Sequence, residues 1–517
     1  MRVDRNSPGG CSIGCATRPI APFDTMPHGA DIAFNQDFLN GFHQILPNVE
    51  KIVPEPRIGF AWTPIGDKTV FRGGVGLFTD LYPVAILNAY TNNFPQVNRF
   101  VIPAGTVAFS NPVAAGDTTS GAALAAGCNA AFSSAYASGG TVGSYVASDP
   151  TCVDSTGNPL VANYNDPNDN VKNPKFLEWN FEVQRSIGTH TVVSANYVGN
   201  RGYDIFLFNP YMNAYDNAAV SGIGGFGGLP TAAIDSRVAT VNQVTNNGYS
   251  NYNGISLSVQ QNFWKGFTGR LNYTYSHALD NVSNGGSGEP YSAFSNVSIT
   301  TQINPFNPNA QYGSADYDIR HYISGNYVYE LPFKSENRLM DAAIGGWMVS
   351  GTVYYHTGLP FTLVDGITGG SIAGENDSLA TVLPQAITPI ASSCNHSAVG
   401  TPCFTNGQFA GNGNPPPAGF ITNVGRNSIR APGYFNTDFS IRKNFKLTER
   451  FNFQVGANAY NVFNHVNFQA PVGNLADGPG VFGQIISTVT PPTSVFGAFA
   501  NGNADARVLQ VQGKLTF

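Results

Sequence analysis

The stretch that decides the fold is ARVLQVQGKLTF, residues 506–517. Side chains of an extended strand alternate between two faces, so this stretch has one apolar and one polar face. The apolar face carries Leu509, Val511, Gly513, Leu515 and Phe517, and the polar face carries Gln510, Gln512, Lys514 and Thr516. Aromatic residues at the ends of lipid-facing strands form the girdles of membrane β-barrels. The stretch therefore predicts the last strand of a barrel, ending on Phe517 at a membrane interface.

The composition of the whole chain favours the same class of protein. Charged residues make up 11% of the 517 residues, against roughly 25% in an ordinary soluble protein, while Tyr (23) and Phe (36) are plentiful. No apolar run reaches the 18 or so residues of a spanning helix, and mean hydropathy is -0.10. A closed β-barrel is the remaining way to span a bilayer, because every backbone group must find a partner without water. The net charge of -6 argues against a nucleic-acid partner.

Eleven strands can be marked along the chain by alternating polarity. They are predicted at Arg57 to Thr63, Thr69 to Thr79, Lys175 to Ile187, Thr191 to Phe206, Asn253 to Phe263, Phe267 to His277, Arg320 to Leu331, Gly346 to His356, Tyr434 to Phe445, Arg450 to Phe463 and Arg507 to Phe517. Residues 1–54 are predicted to be an irregular loop segment, and residues 55–517 to be the barrel.

Short and long connections between these strands alternate strictly. The short ones contain PIGDK, GTH, WKG and KLTE, and a turn over Pro332 to Gly345. The long loops are predicted at residues 80–174, 208–250, 278–319, 357–433 and 464–505. Outer-membrane barrels have short periplasmic turns and long extracellular loops. The alternation therefore predicts an orientation with every long loop outside the cell.

A soluble sandwich or propeller also has alternating strands, but of about five or six residues. The strands here approach the 9–11 residues that a tilted, bilayer-spanning strand needs. The predicted lipid-facing residues are Phe451, Phe453, Val455, Val508, Leu509, Val511, Leu515 and Phe517. The predicted lumen-facing residues are Arg72, Glu178, Glu182, Arg270, Asp438, Arg442 and Lys514. We expect most of these charges to pair across strands, although they could also contact a solute.

The strand count also predicts that the barrel is incomplete. Bacterial single-chain barrels use an even number of strands, and eleven leaves one without a partner. We expect an open antiparallel sheet, or a makeshift contact between its first and last strands. The N-terminal sequence has no apolar region typical of a signal peptide, so either the true start lies upstream or the chain is a fragment.

Six cysteines form three near pairs in the predicted loop regions. Loop disulfides in an oxidising compartment are the simplest interpretation, and a zinc site is the weaker one because no histidines are suitably spaced. The candidate pairs are Cys11 with Cys15, Cys128 with Cys152, and Cys394 with Cys403.

The order and content of the strand motifs resemble the barrel of Oar-like TonB-dependent receptors, a group abundant in soil bacteria such as acidobacteria. The motifs include PRIGFAWTP (56–64), TVFRGGVGLFTD (69–80), YDIRHYISGNYVYELPF (317–333), GWMVSGTVYYHTGLPFT (346–362), GRNSIRAPGYFNTDFSIRKNF (425–445) and NAYNVFNHVNF (458–468). The resemblance runs from about Pro56 to Phe517 and covers the C-terminal part of such receptors.

The resemblance implies a piece of a large barrel, usually of 22 strands, that an N-terminal plug fills. It implies uptake of a scarce solute such as a siderophore or an oligosaccharide. The implied partners are outer-membrane lipid, the barrel assembly machinery acting on the C-terminal strand, and the TonB complex where an upstream plug exists. Nothing in this sequence resembles the plug or the TonB box. The alternative is a non-transporting surface barrel remnant that displays its loops for adhesion or as a scaffold.

No enzymatic function, cofactor or catalytic motif is predicted. The eight histidines form no HExxH motif and have no metal-ligand spacing with carboxylates. The stretch NYNDPNDN, residues 163–170, offers oxygen ligands for calcium but lacks the Gly and Glu positions of an EF-hand. A solvated turn stabilised by Asn and Asp is the competing interpretation. The weak calcium candidates are Asp166, Asn168, Asp169 and Asn170.

Overall fold

A computed structural model describes residues 50, 52–80, 127–128, 130–131, 164–166, 171–213, 215–216, 241–283, 306–364, 372–373, 386–394, 402–409, 423–446, 451–489 and 507–516. Eleven long strands form one antiparallel sheet. They are β1 (Arg57–Ile65), β2 (Thr69–Thr79), β3 (Lys175–Ile187), β4 (Thr191–Asn209), β5 (Val241–Trp264), β6 (Phe267–Asp280), β7 (His321–Glu330), β8 (Trp347–His356), β9 (Tyr434–Lys446), β10 (Asn452–Tyr460) and β11 (Val508–Thr516). The predicted fold class and its eleven strands are confirmed.

The strands lie in chain order, and each pairs with its neighbours in sequence. Within the described part of the chain, β1 and β11 are the two edges of the sheet and are not paired with each other. The expected open sheet is therefore confirmed. Every strand contains at least nine residues, which is enough to span a bilayer at a tilt.

Connections of two or three residues join β1 to β2, β3 to β4 and β5 to β6 at one end of the sheet, which we name the turn end. The turn between β5 and β6 uses Lys265 and Gly266, with φ of 50° and 86°. Such left-handed pairs match the twist of a hairpin, and glycine adopts positive φ without strain. The long connections all leave from the opposite end, which we name the loop end. The sheet thus has the predicted alternation of short and long connections.

Short elements occur in the connections and are not part of the eleven-strand path. The short strands are Tyr164–Asp166, Tyr215–Asp216, Gly313–Ser314, Pro360–Phe361, Ile372–Ala373 and Ile429–Arg430. The 3-10 helices of the described connections are Gly66–Lys68, Pro308–Gln311, Asn406–Gln408 and Leu475–Asp477, and the α-helix α1 covers Arg338–Ile344. No helix in the described ranges has the length and apolar character needed to cross a membrane.

Strand β5 begins at Val241, inside the region 208–250 that we predict as loop. It pairs there with an extension of β4 that runs to Asn209, through register shifts after Gly202 and Ile205. These irregularities interrupt the alternation of two, so polarity does not mark the extension as a strand. The extension buries Leu207 and Val244, which are 0% and 1% exposed. The two strands therefore prolong the sheet at the loop end.

Helix α1 lies in the connection between β7 and β8 that we predict as a turn. The side chain of Asn337 caps it by accepting hydrogen bonds from the backbone N–H groups of Leu339 (3.0 Å) and Met340 (3.3 Å). Five of the seven residues that follow this cap, RLMDAAI, are good helix formers, and the chain leaves the helix at Gly345. The turn end therefore carries a helix as well as tight turns.

The described hydrophobic core lies in the long connections and not under the sheet. Nine buried residues form it, and Ala386, Ile390 and Cys403 pack against them. The nine are Phe361, Leu363, Phe404, Phe409, Val424, Ile429, Ala431, Leu475 and Phe482. We call residues 357–364, 386–394, 402–409, 423–433 and 461–489 the loop cap. A soluble β-protein buries one face of its sheet, whereas the described residues of this protein pack loop against loop and do not cover the apolar side of the sheet.

Candidate functional site

The pairing register divides the sheet into two continuous faces. One row of paired residues runs through Phe60, Gly73, Phe181, Tyr197 and Ile255 on five successive strands. Apolar side chains dominate this face, which we call the apolar face, from β1 to β11. Their exposure is highest towards the edges of the sheet, at 54% for Phe60 and 80% for Val511, and the apolar side chains of β7 to β9 are half-buried. Such a surface would be unfavourable in water, since burial of apolar area is worth about 25 cal/mol per Å².

Most predicted lipid-facing residues lie on this face. They are Phe453, Val455, Leu509, Val511 and Leu515. Phe453 pairs with Leu515, Ala457 with Val511 and Ala459 with Leu509, so these residues share one face of β10 and β11. Phe451 precedes β10, whose first residue is Asn452, and is 44% exposed. Phe517 lies outside the described residues.

Val508 is a correction to the lipid-facing set. It pairs with Tyr460, two positions along from the pair of Gln510 with Asn458. Because the side-chain period of a strand is two, Val508 shares a face with Gln510 and lies opposite Leu509. The prediction that Val508 belongs to the apolar face is wrong.

The opposite face, which we call the polar face, carries all seven predicted lumen-facing charges. Two of them meet across neighbouring strands, since Arg72 on β2 pairs in register with Glu182 on β3. The Arg72 guanidinium lies 3.4 Å from the Glu182 carboxylate and donates a 2.7 Å hydrogen bond to Gln184. The two charged side chains are 45% and 27% exposed, so water screens the pair.

Other charges on the polar face bind amides and hydroxyls. Arg270 donates to Ser258 (3.3 Å) and to Asn272 (3.1 Å). The Asp438 carboxylate accepts from Thr352 (3.2 Å) on the neighbouring strand and from the backbone N–H of Asn461 (3.0 Å). These charges are thus held in fixed positions by neutral partners on their own or neighbouring elements.

Glu178, Arg442 and Lys514 complete the set. Glu178 accepts a 2.9 Å hydrogen bond from Asn200. Arg442 is half-buried and lies in register with Met348 and Gly456, while Lys514 is exposed. Of these seven described charges, only Arg72 and Glu182 pair with each other, so the expectation that most of them pair across strands is wrong. Neutral partners lie beside Glu178, Arg270 and Asp438.

Neutral polar side chains also link the strands of the polar face. Ser258 donates to Asn272 (2.9 Å) across β5 and β6, and Ser440 donates to Asn458 (2.7 Å) across β9 and β10. Asn458 in turn donates to Gln510 (3.3 Å) on β11. Such cross-strand pairs stabilise a sheet while leaving further donors and acceptors for water or a polar solute.

An aromatic cluster marks the loop end of the polar face. The rings of His356 and Tyr434 are stacked with centroids 5.4 Å apart, and Tyr354 meets Tyr434 edge-on at 5.8 Å. Tyr322 packs edge-on against Tyr354 at 5.2 Å. Register pairing places Tyr322, His356 and Tyr434 in one row across β7, β8 and β9. The cluster is the part of the polar face nearest the loop cap.

A buried arginine fixes the loop cap to the end of β6. The guanidinium of Arg426 donates to the Asp280 carboxylate (2.6 Å), to the hydroxyl of Ser283 (2.7 Å) and to the backbone carbonyl of Gln311 (2.7 Å). A second carboxylate, that of Asp316, lies 3.5 Å away. The Arg426 and Asp280 side chains are 5% and 2% exposed, so this pair is shielded from water.

A second arginine of the same segment binds the residues just before β7 and just after β8. The Arg430 guanidinium contacts the fully buried carboxylate of Asp318 and donates to the backbone carbonyl of Gly358 (3.1 Å). Asp318 also accepts from Arg320 (3.0 Å) and from the backbone N–H of Ala278 (2.8 Å). We call Arg426, Arg430, Asp280, Asp316 and Asp318 the arginine clasp.

The ring of Tyr312 lies beside the clasp and stacks on Tyr249 with centroids 4.8 Å apart. Burial raises the pKa of the Tyr312 phenol, and the negative charge of Asp280 raises it further, against an opposing effect of Arg201. The phenol is therefore neutral at physiological pH.

Sequence reasoning missed the clasp and the aromatic cluster. Asp318 and Tyr322 belong to YDIRHY, and Arg426, Arg430 and Tyr434 belong to GRNSIRAPGY, motifs that we use only for the family resemblance. The available signal was a concentration of charge in predicted loops of a charge-poor chain. Polar residues in loops have solvation as their ordinary explanation, and only the fold brings Arg426 to Asp280.

Three of the six cysteines lie in the described residues. Cys394 and Cys403 form a disulfide with Cα atoms 5.6 Å apart, and Cys128 is disulfide-bonded. Cys11, Cys15 and Cys152 lie outside the described residues.

The calcium candidates belong to a stretch of which little is described. Asp166 ends a short strand that runs parallel to the start of β5. Asn168, Asp169 and Asn170 lie outside the described residues. Within the described ranges, no three His, Cys, Asp or Glu side chains are arranged to hold a metal ion.

A family model described as outer membrane beta barrel domain matches residues 28–510. No match was found among curated protein sequences. Among solved structures, the outer membrane transporter YddB from Escherichia coli is 9% identical with a TM-score of 0.39, and the alignment covers 87% of this chain and 39% of YddB. The FrpB iron transporter from Neisseria meningitidis is 9% identical with a TM-score of 0.34, covering 89% and 39%.

A mutant of the ferric enterobactin receptor PfeA from Pseudomonas aeruginosa is 11% identical with a TM-score of 0.39, covering 89% of this chain and 40% of the receptor. The chain thus spans about two fifths of the length of the solved structures that it matches.

Proposed function

We propose that this chain, which belongs to the outer membrane beta-barrel domain family and is therefore an outer-membrane protein, forms part of the barrel wall of an Oar-like TonB-dependent receptor. Such a receptor captures a scarce solute at the cell surface and admits it along the polar face. We also propose that the receptor is of the acidobacterial type that its motifs resemble, and that it has no enzymatic or nucleic-acid-binding role.

One observation carries this proposal, namely the apolar face that continues across all eleven strands and is strongly exposed towards both edges of the sheet. In a bilayer this face is solvated by acyl chains, and the polar face is left for a water-filled interior. Val511 at 80% exposure and Leu509 at 73% lie on the outside of this arrangement. The hydrogen-bonded polar face forms the inner wall, with Arg72, Glu182, Arg270 and Asp438 in fixed positions along it.

The loop end supplies the solute-capturing side. Its connections are long, and the loop cap has its own core and disulfide, so it offers a pre-formed surface above the polar face. The aromatic cluster of Tyr322, Tyr354, His356 and Tyr434 lies between the loop cap and the polar face. Aromatic rings of this kind stack on sugars and on aromatic siderophores, which fits the two solute classes that the resemblance implies.

Three partners belong to the proposal besides the solute. Outer-membrane lipid surrounds the apolar face, and the assembly machinery recognises the C-terminal strand by adding it to an open edge. The TonB complex acts on this protein where a plug is encoded upstream. Neither a cofactor nor a resident metal has a role in this function.

The test is uptake by a Gram-negative host that lacks its own siderophore receptors. The full coding region, with any upstream plug sequence, is expressed under iron limitation with a panel of ferric catecholate and hydroxamate siderophores. A parallel panel of maltose- and cellulose-derived oligosaccharides serves as sole carbon source. We expect growth on at least one solute that is lost when TonB is deleted. Normal surface levels with no growth on any solute would favour the adhesion or scaffold function.

A further inference from the structure

The connection between β7 and β8 exposes apolar side chains at the turn end of the sheet. Leu339 is 83% exposed, Met340 58% and Ile344 41%. At 3.6 residues per turn, these three and Ala343 fall within an arc of about 140° around α1. Phe333, just before the helix, is 53% exposed. This end of the molecule therefore has an apolar surface with no cover in the described part of the chain.

Helix α1 is held against the apolar face of the sheet by two side chains of that face. Trp347 and Lys443 pair in register on β8 and β9, and Lys443 pairs with Val455 on β10. The Trp347 indole N–H donates to the backbone carbonyl of Ala343 (3.1 Å). The Lys443 ammonium donates to the same carbonyl (3.1 Å) and to that of Gly345.

Lys443 would be a costly residue on a lipid-facing surface. A lysine at the bilayer midplane of a barrel costs about 2–4 kcal/mol, and less near an interface. Here the side chain is only 4% exposed, and its ammonium lies between the rings of Trp347 (5.3 Å) and Phe445 (5.2 Å). Carbonyl groups at the C-terminal end of a helix carry partial negative charge and favour a cation. The helix therefore hides this charge from the apolar surroundings.

We propose that α1 is an interfacial anchor that inserts Leu339, Met340 and Ile344 among the phospholipids of the periplasmic leaflet. This inference rests on the proposed function, which gives the apolar face to lipid and the turn end to the periplasmic side. Lipid is the occupant because the helix continues the apolar face on which Trp347 and Lys443 lie. A short amphipathic helix with apolar residues on one side lies in the plane of such an interface.

The test places nitroxide labels at Leu339→Cys and Met340→Cys in the full chain reconstituted in phospholipid bilayers. Glu336→Cys, in the same connection and exposed, is the matched control, and Val511→Cys reports the apolar face. The unsubstituted chain treated with the same label measures the background from native cysteines. Collision rates with oxygen and with a water-soluble nickel chelate distinguish lipid from water.

We expect oxygen collisions to dominate at Leu339, Met340 and Val511, and nickel collisions to dominate at Glu336. Nickel-dominated collisions at Leu339 and Met340, with Val511 in lipid, would overturn the anchor and leave the barrel intact. Low collision rates with both reagents at these two positions would also overturn it, since a protein partner or a second copy would then cover the helix. Nickel-dominated collisions at Val511 as well would overturn the proposed barrel together with the anchor.

Discussion

Arg426 and Asp280, 146 positions apart in the sequence, meet in a buried ion pair with a nitrogen to oxygen distance of 2.6 Å. The pair joins the loop cap to the end of β6. Removing one partner of a buried pair leaves an unpaired charge away from water, which typically costs 3–5 kcal/mol. The pair should therefore contribute strongly to holding the loop cap on the sheet.

We predict that Arg426→Met lowers the opening free energy of the loop cap by roughly 3–5 kcal/mol. Hydrogen exchange of peptides from residues 423–446, measured by mass spectrometry, gives this quantity. Arg72→Met is the control, because its ion pair with Glu182 is exposed and worth about 0–1 kcal/mol. Adding Asp280→Asn to Arg426→Met should recover part of the loss. Unchanged exchange in the single variant would show that the clasp does not hold the cap.

The two faces of β11 should differ in their tolerance of charge. Val511→Arg places a charge on the apolar face near the middle of the strand, and we expect a loss of about 2–4 kcal/mol in folding free energy. Gln512→Arg, on the polar face beside Gly456, should cost little. Folding into phospholipid vesicles, followed by the shift in electrophoretic mobility, measures both. Equal losses would contradict the assignment of the faces.

Lysine labelling on intact cells tests the orientation. Lys172 is exposed at the loop end, and Lys265 is exposed in the turn between β5 and β6. A membrane-impermeant amine reagent should modify Lys172 and spare Lys265, because the outer membrane separates the two ends. After the outer membrane is permeabilised, both should react. Modification of Lys265 alone on intact cells would reverse the proposed orientation.

Disulfides in the loops should be found in protein isolated from the outer membrane. Unreduced peptide mapping is expected to find Cys394 joined to Cys403, and Cys128 joined to Cys152. For the nine-residue separation of the first pair, the chain-entropy estimate is about 3 kcal/mol. Replacing both cysteines by alanine should therefore speed hydrogen exchange in residues 402–409 and leave β1 and β2 unchanged. Free thiols at all four positions would end this prediction.

Deleting Phe517 tests the proposed role of the assembly machinery. The last strand pairs with β10 through Leu515 and Thr516, and its other edge is free in the described part of the chain. We expect the truncated protein to be synthesised normally and to reach the outer membrane at reduced levels, as measured by immunoblotting of membrane fractions. A Thr516→Ser variant serves as the control and should insert normally.

The sequence alone determined the strands and their two faces, because alternation is a local property of an extended chain. In stretches such as RIGFAWT and VLQVQGKLT, alternation shows which residues share a face, and no other part of the molecule is needed. Even the error at Val508 could have been avoided by counting positions from Leu509. Short hairpins leave no choice of neighbour, so they determine which two strands pair within each hairpin, whereas the neighbours across the long connections come from the tertiary structure.

The tertiary structure alone decided which distant residues meet. Strand β5 starts at Val241 only because a bulged extension of β4 pairs with it, and bulges erase the alternation that marks a strand. Arg426 binds Asp280, and Lys443 donates to carbonyls of α1, although the segments in contact are about 100 or more residues apart in the sequence. The sequence of a loop has no periodic pattern that predicts which residue a side chain contacts. The partner and the burial of a charged loop residue are therefore determined only when the fold has brought the segments together.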